Sequence, residues 1–251
     1  MVRAYARPQQ LASTLSSILK SKTTKMANIT ELVDFLSTLE LNPSLAKIKT
    51  VEVDLKGSLN PTLWLNNTFF EQNYWLSFND FYEYYLAQNE VELRQKFSNV
   101  SWEDLKKGLE ARLYRTQFGM LTEYHAYFLC KDFFGESNVI RNSDLDRIGV
   151  DFQLFFNNEC YNIHIFVDTD RAWEYRKFKV QYKQSNSVKG LHINLPYSLA
   201  RNRFNSLEYL SNGFGIYSNR YLEYLKNEIL SGNIKNDNII GTNQNGFIYK
   251  T

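Results

Sequence analysis

Two aspartates, Asp146 and Asp151, are the first side chains in this sequence whose type and spacing could do chemistry. They lie in the segment Asp144–Asp151, which leads into a strand-like stretch. Asp151 is predicted to lie near the start of that strand, and Asp146 in the loop that approaches it. A carboxylate at the head of one strand, beside polar groups on its neighbour, can hold Mg²⁺, which takes oxygen ligands, keeps waters and binds substrate phosphate. The bound ion would polarise a scissile phosphate and lower the pKa of the attacking water. The alternative is that such an aspartate serves only as a turn or cap residue.

His164 lies on the next strand along the chain and is a candidate catalytic residue. With an ordinary pKa near ~6.5, a histidine there can act as a weak metal ligand or a general base. The alternative is a hydrogen-bonded polar residue inside the sheet. His125 lies in the aromatic run Tyr124–Phe128 and is interpreted as a core histidine.

A basic segment follows these strands. Between Arg171 and Arg203 there are eight cations and one acid, in a chain whose net charge is +2. Such a local excess indicates an anionic partner, although a solvated face would have the same composition. The eight cations are Arg171, Arg176, Lys177, Lys179, Lys183, Lys189, Arg201 and Arg203.

The N-terminal half has the apolar spacing of helices. Residues 29–41 place leucine and phenylalanine at i, i+3, i+4 and i+7, and residues 79–97 form a second helical pattern with Asn79 as its cap. Ser101 and Asp104 then resemble a capping box, followed by a long helix that continues toward Cys130.

The C-terminal half has the alternation of strands. Residues 149–156 and 161–167, separated by the turn 157–159, predict a hairpin, and 191–195 predict a strand that Pro196 stops. Residues 218–230 predict a helix, and residues 213–217 and 246–249 predict short strands. The fold class is therefore α/β or mixed α+β, with a helical N-terminal half against a mixed sheet.

Composition restricts the class of protein. The chain has 251 residues, 43% of them hydrophobic and 16% aromatic, which suffices for a large core and excludes global disorder. Two cysteines, Cys130 and Cys160, exclude a disulfide framework and a cysteine-rich zinc site, and suggest a reducing cytoplasm. No apolar run approaches the roughly 18 residues of a membrane span, so no membrane partner is expected.

The first 25 residues are basic, rich in serine and threonine, and contain no acid. They are interpreted as a disordered extension or as the result of a misassigned start, since Met26 precedes the first helix; an organellar address is the alternative. Residues 26–251 are predicted to form a single domain, helical over about 26–135 and sheet-bearing over about 136–251.

Five groups of residues, in order along the chain, resemble the TaqI restriction endonuclease family. The resemblance covers roughly residues 30–230, and its longest group is nine residues. The groups are Ile48–Glu52 with Asp54, Leu55 and Leu59–Pro61; Gly108–Thr116; Leu145, Asp146, Gly149 and Asp151; Leu195–Leu199; and Asn212–Phe214.

This resemblance implies a homodimeric type II restriction endonuclease with a PD-(D/E)XK-like core. Such an enzyme would cut double-stranded DNA at TCGA with Mg²⁺, in a prokaryotic cytoplasm, alongside a cognate DNA methyltransferase. Asp146 and Asp151 fall on the family's acidic positions and are expected to bind the metal. The eight cations would contact the DNA backbone, which makes binding salt-dependent, and an arginine among them can read guanine.

The resemblance departs from the family at Phe166. The family's second strand ends in Gln-x-Lys, where this chain has His164 and Phe166. The lysine is expected to orient the attacking water and offset charge on the phosphate, which a phenyl ring cannot do. Three interpretations are open: Arg171 or Lys177 supplies the cation, catalysis is impaired and the protein only binds DNA, or a gap shifts the lysine to Lys177 or Lys179.

Other residues near these motifs have two interpretations each. Asp168 or Asp170 could add an acid to the site. Glu110, on the matching helix, could reach the metal or could only pair with a neighbouring arginine. The tyrosines Tyr82, Tyr84 and Tyr85 are interpreted as helix packing rather than base stacking.

Overall fold

The computed structural model describes residues 24–25, 28–48, 55–68, 70, 74–182, 188–198, 207–236, 238–243 and 246–250. The chain divides into two compact units, Met1–Met120 and Leu121–Thr251. The mixed α/β class and the helical N-terminal half are confirmed.

The first unit is built from helices. Two short strands, β1 (Thr24–Lys25) and β2 (Tyr74–Trp75), form an antiparallel ladder beside them. Leucines and aromatic rings that recur along the helices make its core, among them Leu32, Leu36 and Phe81, all fully buried. The helices that begin in this unit are α1 (Ile29–Thr38), α2 (Pro43–Lys47), α3 (Pro61–Thr68), α4 (Phe78–Lys96) and α5 (Trp102–Phe134).

Helix starts follow their capping side chains. The predicted cap at Ser101 is confirmed, because its Oγ accepts from the Asp104 amide at 3.1 Å. The predicted cap at Asn79 is wrong by two residues: Ser77 caps α4, and its Oγ accepts from the amide of Asp80. Serine and asparagine are both good caps, but Ser77 also has an acid three residues later, which completes the local pattern.

The second unit contains a six-stranded mixed sheet in the order β10-β9-β6-β5-β4-β3. Strands β3, β4 and β5 are antiparallel neighbours, β5 and β6 are parallel, and so are β6 and β9. A separate antiparallel pair joins β7 to β8. The strands are β3 (Val139–Ile140), β4 (Phe152–Phe156), β5 (Glu159–Val167), β6 (Leu191–Tyr197), β7 (Leu207–Tyr209), β8 (Gly215–Tyr217), β9 (Asn238–Asn243) and β10 (Gly246–Lys250).

Three further helices belong to this unit: α6 (Ser143–Ile148), α7 (Asp170–Tyr182) and α8 (Asn219–Leu230). Its core includes Phe152 and Leu154 of β4 and Ile163 of β5, all fully buried. The predicted hairpin is confirmed, and its turn is made by Asn157 and Asn158, both with positive φ. Asparagine tolerates this region better than other side chains, which is why two-residue hairpin turns favour it.

Two predictions in this half are wrong. Asp146 does not lie in a loop, because Asn142 caps a short helix by accepting from the Leu145 amide, and Gly149 ends that helix at φ 85°. Pro196 does not stop β6, which continues to Tyr197. The register of β6 with β9 covers only Ile193 and Asn194, so the proline lies where the ladder is one-sided and its missing N–H is tolerated.

Several expectations fall outside the described residues. Of the N-terminal extension only Thr24 and Lys25 are described, and the boundaries proposed for the domains stay predictions. No helix in the described ranges is long and apolar enough to cross a membrane.

Candidate active site

Asp151 is fixed at the entrance of the β-hairpin by two hydrogen bonds to β5. Its amide donates to the carbonyl of Ile163 at 3.0 Å, and its Oδ2 accepts from the amide of Ile165. The carboxylate thus extends the β4–β5 ladder by one step, which holds the side chain in a defined orientation at a partly exposed position. The position expected from the sequence, near the start of the first strand, is confirmed.

Glu123 of helix α5 is a third acid beside the two aspartates. Its side chain is 16% exposed, and its pKa is raised by burial and then by the charges of Asp151 and Asp146. Arg141 opposes this shift, since its Nη2 lies 3.0 Å from Oε1 of Glu123. The charges of the two aspartates therefore reach Glu123, and the ion pair with Arg141 partly offsets them.

Arg141 is held in place by a tyrosine from the same helix as Glu123. It follows strand β3 directly, and its Nη1 donates to the hydroxyl of Tyr124 at 2.7 Å. Its guanidinium also lies over that ring, 4.1 Å from the centroid. The ion pair is therefore oriented from two directions, and the arginine is 7% exposed.

Tyr197, the last residue of β6, is buried within reach of the charges of these acids. Burial raises the pKa of its hydroxyl, a hydrogen bond with Thr122 opposes the rise, and Glu123 and Asp151 add to it. The hydroxyl therefore stays neutral.

His164 connects the sheet to the segment between the two aspartates. Its Nδ1 lies 2.9 Å from the carbonyl oxygen of Gly149, and its Nε2 lies 2.8 Å from Nδ1 of His192. A carbonyl only accepts, so Nδ1 of His164 carries the hydrogen, and in neutral His164 Nε2 accepts from His192. The histidine is 2% exposed with both nitrogens engaged, which agrees with a hydrogen-bonded polar residue inside the sheet.

Phe166 is positioned by an aromatic contact with helix α7. Its ring meets Trp173 edge to face at 4.7 Å between centroids, and the indole Nε1 of Trp173 donates to Oδ1 of Asp168 at 2.7 Å. Asp168 is thereby used in anchoring the helix. A cavity of about 80 Å³ adjoins this contact. Its lining consists of Gly149, Asp151, His164, Ile165, Phe166, Ala172, Tyr175 and Arg176.

The predicted basic residues occupy different places. Arg171 is exposed in the first turn of α7 and does not line the cavity beside Asp151. Arg176 is 7% exposed, with Nε donating to Oδ1 of Asn194 at 2.7 Å, so it does not lie on an open face. Lys189 is exposed beside the hairpin turn, at the opposite end of strand β4 from Asp151.

The remaining basic positions are not described at the level of side chains. The side chains of Lys177 and Lys179 lie outside the described residues although their helix is described, and Lys183, Arg201 and Arg203 lie outside entirely. Their assignment to DNA contacts stays a prediction.

Most of this chain, including the acidic residues described above, matches a known protein family. The sequence model of the TaqI restriction endonuclease matches residues 29–204, which includes every acid of the cluster. The chain belongs to the TaqI restriction endonuclease family.

Two type II restriction enzymes resemble it over most of their length. It is 28% identical over 231 residues to the type II restriction enzyme TthHB8I of Thermus thermophilus, covering 77% of this chain and 85% of that protein. It is 28% identical over 232 residues to the type II restriction enzyme TaqI of Thermus aquaticus, covering 76% and 84%. No solved structure gives a significant match.

Sequence reasoning about this TaqI-family chain missed Glu123 and Arg141. A signal was present, because Glu123 is an acid within a largely apolar helical stretch, and such a residue is rarely buried without a partner. Glu110, the helix acid that the sequence offers as an extra metal ligand, lines a cavity of the first unit with Tyr82 and Tyr114. Burial raises the pKa of Tyr82 to about 12, and the negative charge of Glu110 contributes to the rise.

Proposed function

We propose that this protein is a Mg²⁺-dependent type II restriction endonuclease that hydrolyses phosphodiester bonds of double-stranded DNA at a short palindrome. The observation that carries the proposal is the family match over residues 29–204, a region that contains Asp146, Asp151 and Glu123. TCGA, the sequence expected from the resemblance, is the first site to test.

The donor set suits Mg²⁺. Carboxylate oxygens are its preferred protein ligands, and one or two of them are enough because the ion keeps waters and takes phosphate oxygens. Within the described part of the chain, no group of three or more acid, histidine or cysteine side chains is close enough to hold a metal by itself. Asp146 and Asp151 would hold the ion as a pair, with water and phosphate oxygens as its other ligands and Glu123 as a neighbouring acid.

When bound, Mg²⁺ supplies Lewis acidity that polarises the phosphate and makes water a better nucleophile. The chain's own residues hold this geometry. Ile165 fixes one oxygen of Asp151, and His164 holds the Gly149 carbonyl between the two aspartates. Arg141 keeps Glu123 in place and limits repulsion among the acids.

Dimerisation and biological context follow from the proposed substrate. A palindromic site is recognised by a two-fold symmetric protein, so we expect a homodimer. An enzyme that cuts such a site in its own cytoplasm requires a cognate methyltransferase to protect the host DNA. Lys189, Arg171 and the other predicted cations would neutralise phosphates, so binding should weaken steeply with salt.

The test is cleavage of a plasmid that carries TCGA by purified protein with Mg²⁺. Asp151→Asn is the informative variant, because its amide oxygen still accepts from Ile165 while the negative charge is lost. We expect cleavage to fall by at least about 100-fold, the scale of losing one key electrostatic group. Asp144→Asn, an exposed position of the same short helix, is the matched control and should cut normally. Absence of cutting with every divalent metal, by folded wild type, would contradict the proposal.

A second candidate is a family member that binds DNA without cutting efficiently. Phe166 favours it, because a ring that packs on Trp173 occupies the position at which the resemblance to the family implies a lysine. This candidate predicts salt-dependent duplex binding without nicking.

A nuclease of the same core that acts on another nucleic acid is a further alternative. Competition by RNA and by single-stranded DNA in the binding assay would reveal it.

A further inference from the structure

The family's lysine position lacks a cation in this chain, yet a buried cation lies next to it. Phe166 faces the cavity that adjoins Asp151, and the same cavity is lined by Arg176. Arg176 is 7% exposed. Burying a guanidinium costs several kcal/mol unless other groups compensate. Asn194 is one such group, and the cation is held beside the aspartate that we propose as a metal ligand.

Phe166 packs against the face of helix α7 that carries this arginine. Its ring contacts Trp173 of helix α7, and Arg176 follows three residues later, so both side chains lie on one face of the helix. A lysine at 166 would not make the same edge-to-face contact. Phe166 on β5 thus packs against the helix that carries Arg176, so helix α7 supplies a positive charge that strand β5 lacks at this position.

Asn194 fixes the orientation of the guanidinium of Arg176. Its Oδ1 accepts from Nε of Arg176 at 2.7 Å, and it lies on β6 directly opposite His164 on β5. Because Asn194 is 3% exposed on a strand of the central sheet, the hydrogen bond fixes the direction of the planar group. An oriented arginine suits a phosphate, whose oxygens match its fork of donors.

We propose that Arg176 is the catalytic cation of this protein, in the role that the resemblance assigns to a lysine at the position where this chain has Phe166. This inference rests on the proposed function. In it, the guanidinium donates to a non-bridging oxygen of the scissile phosphate and offsets the charge that develops as the phosphate reacts. It transfers no proton and forms no covalent bond. Arg171 and Lys177, the cations considered from the sequence, are not required for this role.

The test is a charge-exchange cycle measured by single-turnover cleavage of a TCGA duplex with Mg²⁺. Arg176→Met should slow cleavage by at least about 100-fold. Phe166→Lys in the Arg176→Met background should recover at least tenfold, because the lysine restores the charge from the strand. A merely structural arginine would not be rescued in this way. Arg220→Met, which removes an exposed cation from the first turn of α8, is the control and should cut as wild type does.

Duplex affinity with Ca²⁺ in place of Mg²⁺ is a second readout, and it does not require cutting. Arg176→Met should weaken this affinity about tenfold, with little effect in the absence of metal. If Arg176→Met does not fold, Arg176→Lys and Arg176→Gln replace it. Both keep a donor for Asn194, but only the lysine keeps the charge and should keep measurable activity.

The outcomes separate this inference from the function on which it rests. Wild type that cuts, with Arg176→Met cutting equally well, overturns the role of Arg176 alone. Wild type that binds duplex but does not cut leaves the Ca²⁺ affinity to decide, and an unchanged affinity overturns the role. Wild type that neither binds nor cuts duplex overturns both proposals.

Discussion

Arg141 pairs with Glu123 across the acidic region, with 3.0 Å between Nη2 and Oε1. Both side chains are largely buried, and two aspartates raise the pKa of the glutamate that the arginine holds. The pair therefore joins helix α5 to the residues after β3 at the point where the proposed metal ligands meet.

Removing Arg141 should be costly because it leaves a buried acid beside two others. We expect Arg141→Met to lower the free energy of unfolding by about 3–5 kcal/mol, the range for breaking a buried pair. Urea denaturation at pH 7 measures this. The double variant that carries Glu123→Gln together with Arg141→Met should recover most of this loss, because the uncompensated charge is then absent. Lys131→Met, which breaks the exposed pair with Glu136, should change little.

The hydrogen-bonded chain from Gly149 through His164 to His192 should behave as one unit. His164→Phe leaves the buried Gly149 carbonyl without its donor, and we expect a loss of about 1–3 kcal/mol. His192→Phe should cost a similar amount, and the double variant should cost clearly less than the sum. Denaturation of all four proteins gives the coupling energy. Additivity within about 0.5 kcal/mol would mean that the two rings are independent.

His125 should make the protein less stable in mild acid. Burial lowers its pKa to about 3, and its Nδ1 has no hydrogen-bond partner among the described residues. The unfolded chain takes up a proton near pH 6.5 and the folded chain does not, so stability is complete above pH 6.5 and falls as the pH drops toward 3. Between pH 6.5 and 5 the loss should be about 2 kcal/mol.

His125→Asn tests this directly, because asparagine keeps a polar group and does not titrate. The variant is less stable at pH 7, but its decline between pH 6.5 and pH 5 should be smaller than that of wild type by about 2 kcal/mol. Identical slopes for the two proteins would show that the histidine is protonated in the folded state.

Gly190 should not accept a side chain. It has φ +118°, and a Cβ there would lie 2.5 Å from the carbonyl oxygen of Cys160. We expect Gly190→Ala to cost at least about 2 kcal/mol from strain and contact together. Gly232→Ala is the control: its φ is +70° and nothing lies within 4 Å of the added atom, so about 1 kcal/mol is expected. Thermal unfolding of the two variants ranks them, and equal midpoints would contradict the steric argument.

Local features of the fold were predictable from the sequence because they depend on neighbouring residues. The Asn157–Asn158 turn and the Ser101 cap each follow from side chains within three or four positions. Two signals that compete locally are not resolved by the sequence: Asn79 competes with Ser77 as the cap, and the short helix that carries Asp146 has the composition of a loop. Pro196 does not end its strand, because the cost of its missing N–H depends on which strand lies beside it.

The sequence by itself determined the two aspartates, the hairpin that carries Asp151 and the family to which the chain belongs. Only the tertiary structure decided that Glu123 and Arg141 join the aspartates, and that Arg176 lies beside Phe166. The aspartates share one short segment, so their spacing constrains them directly. The other three residues reach the site from α5, from the end of β3 and from α7, and no spacing along the chain fixes distances that packing alone sets.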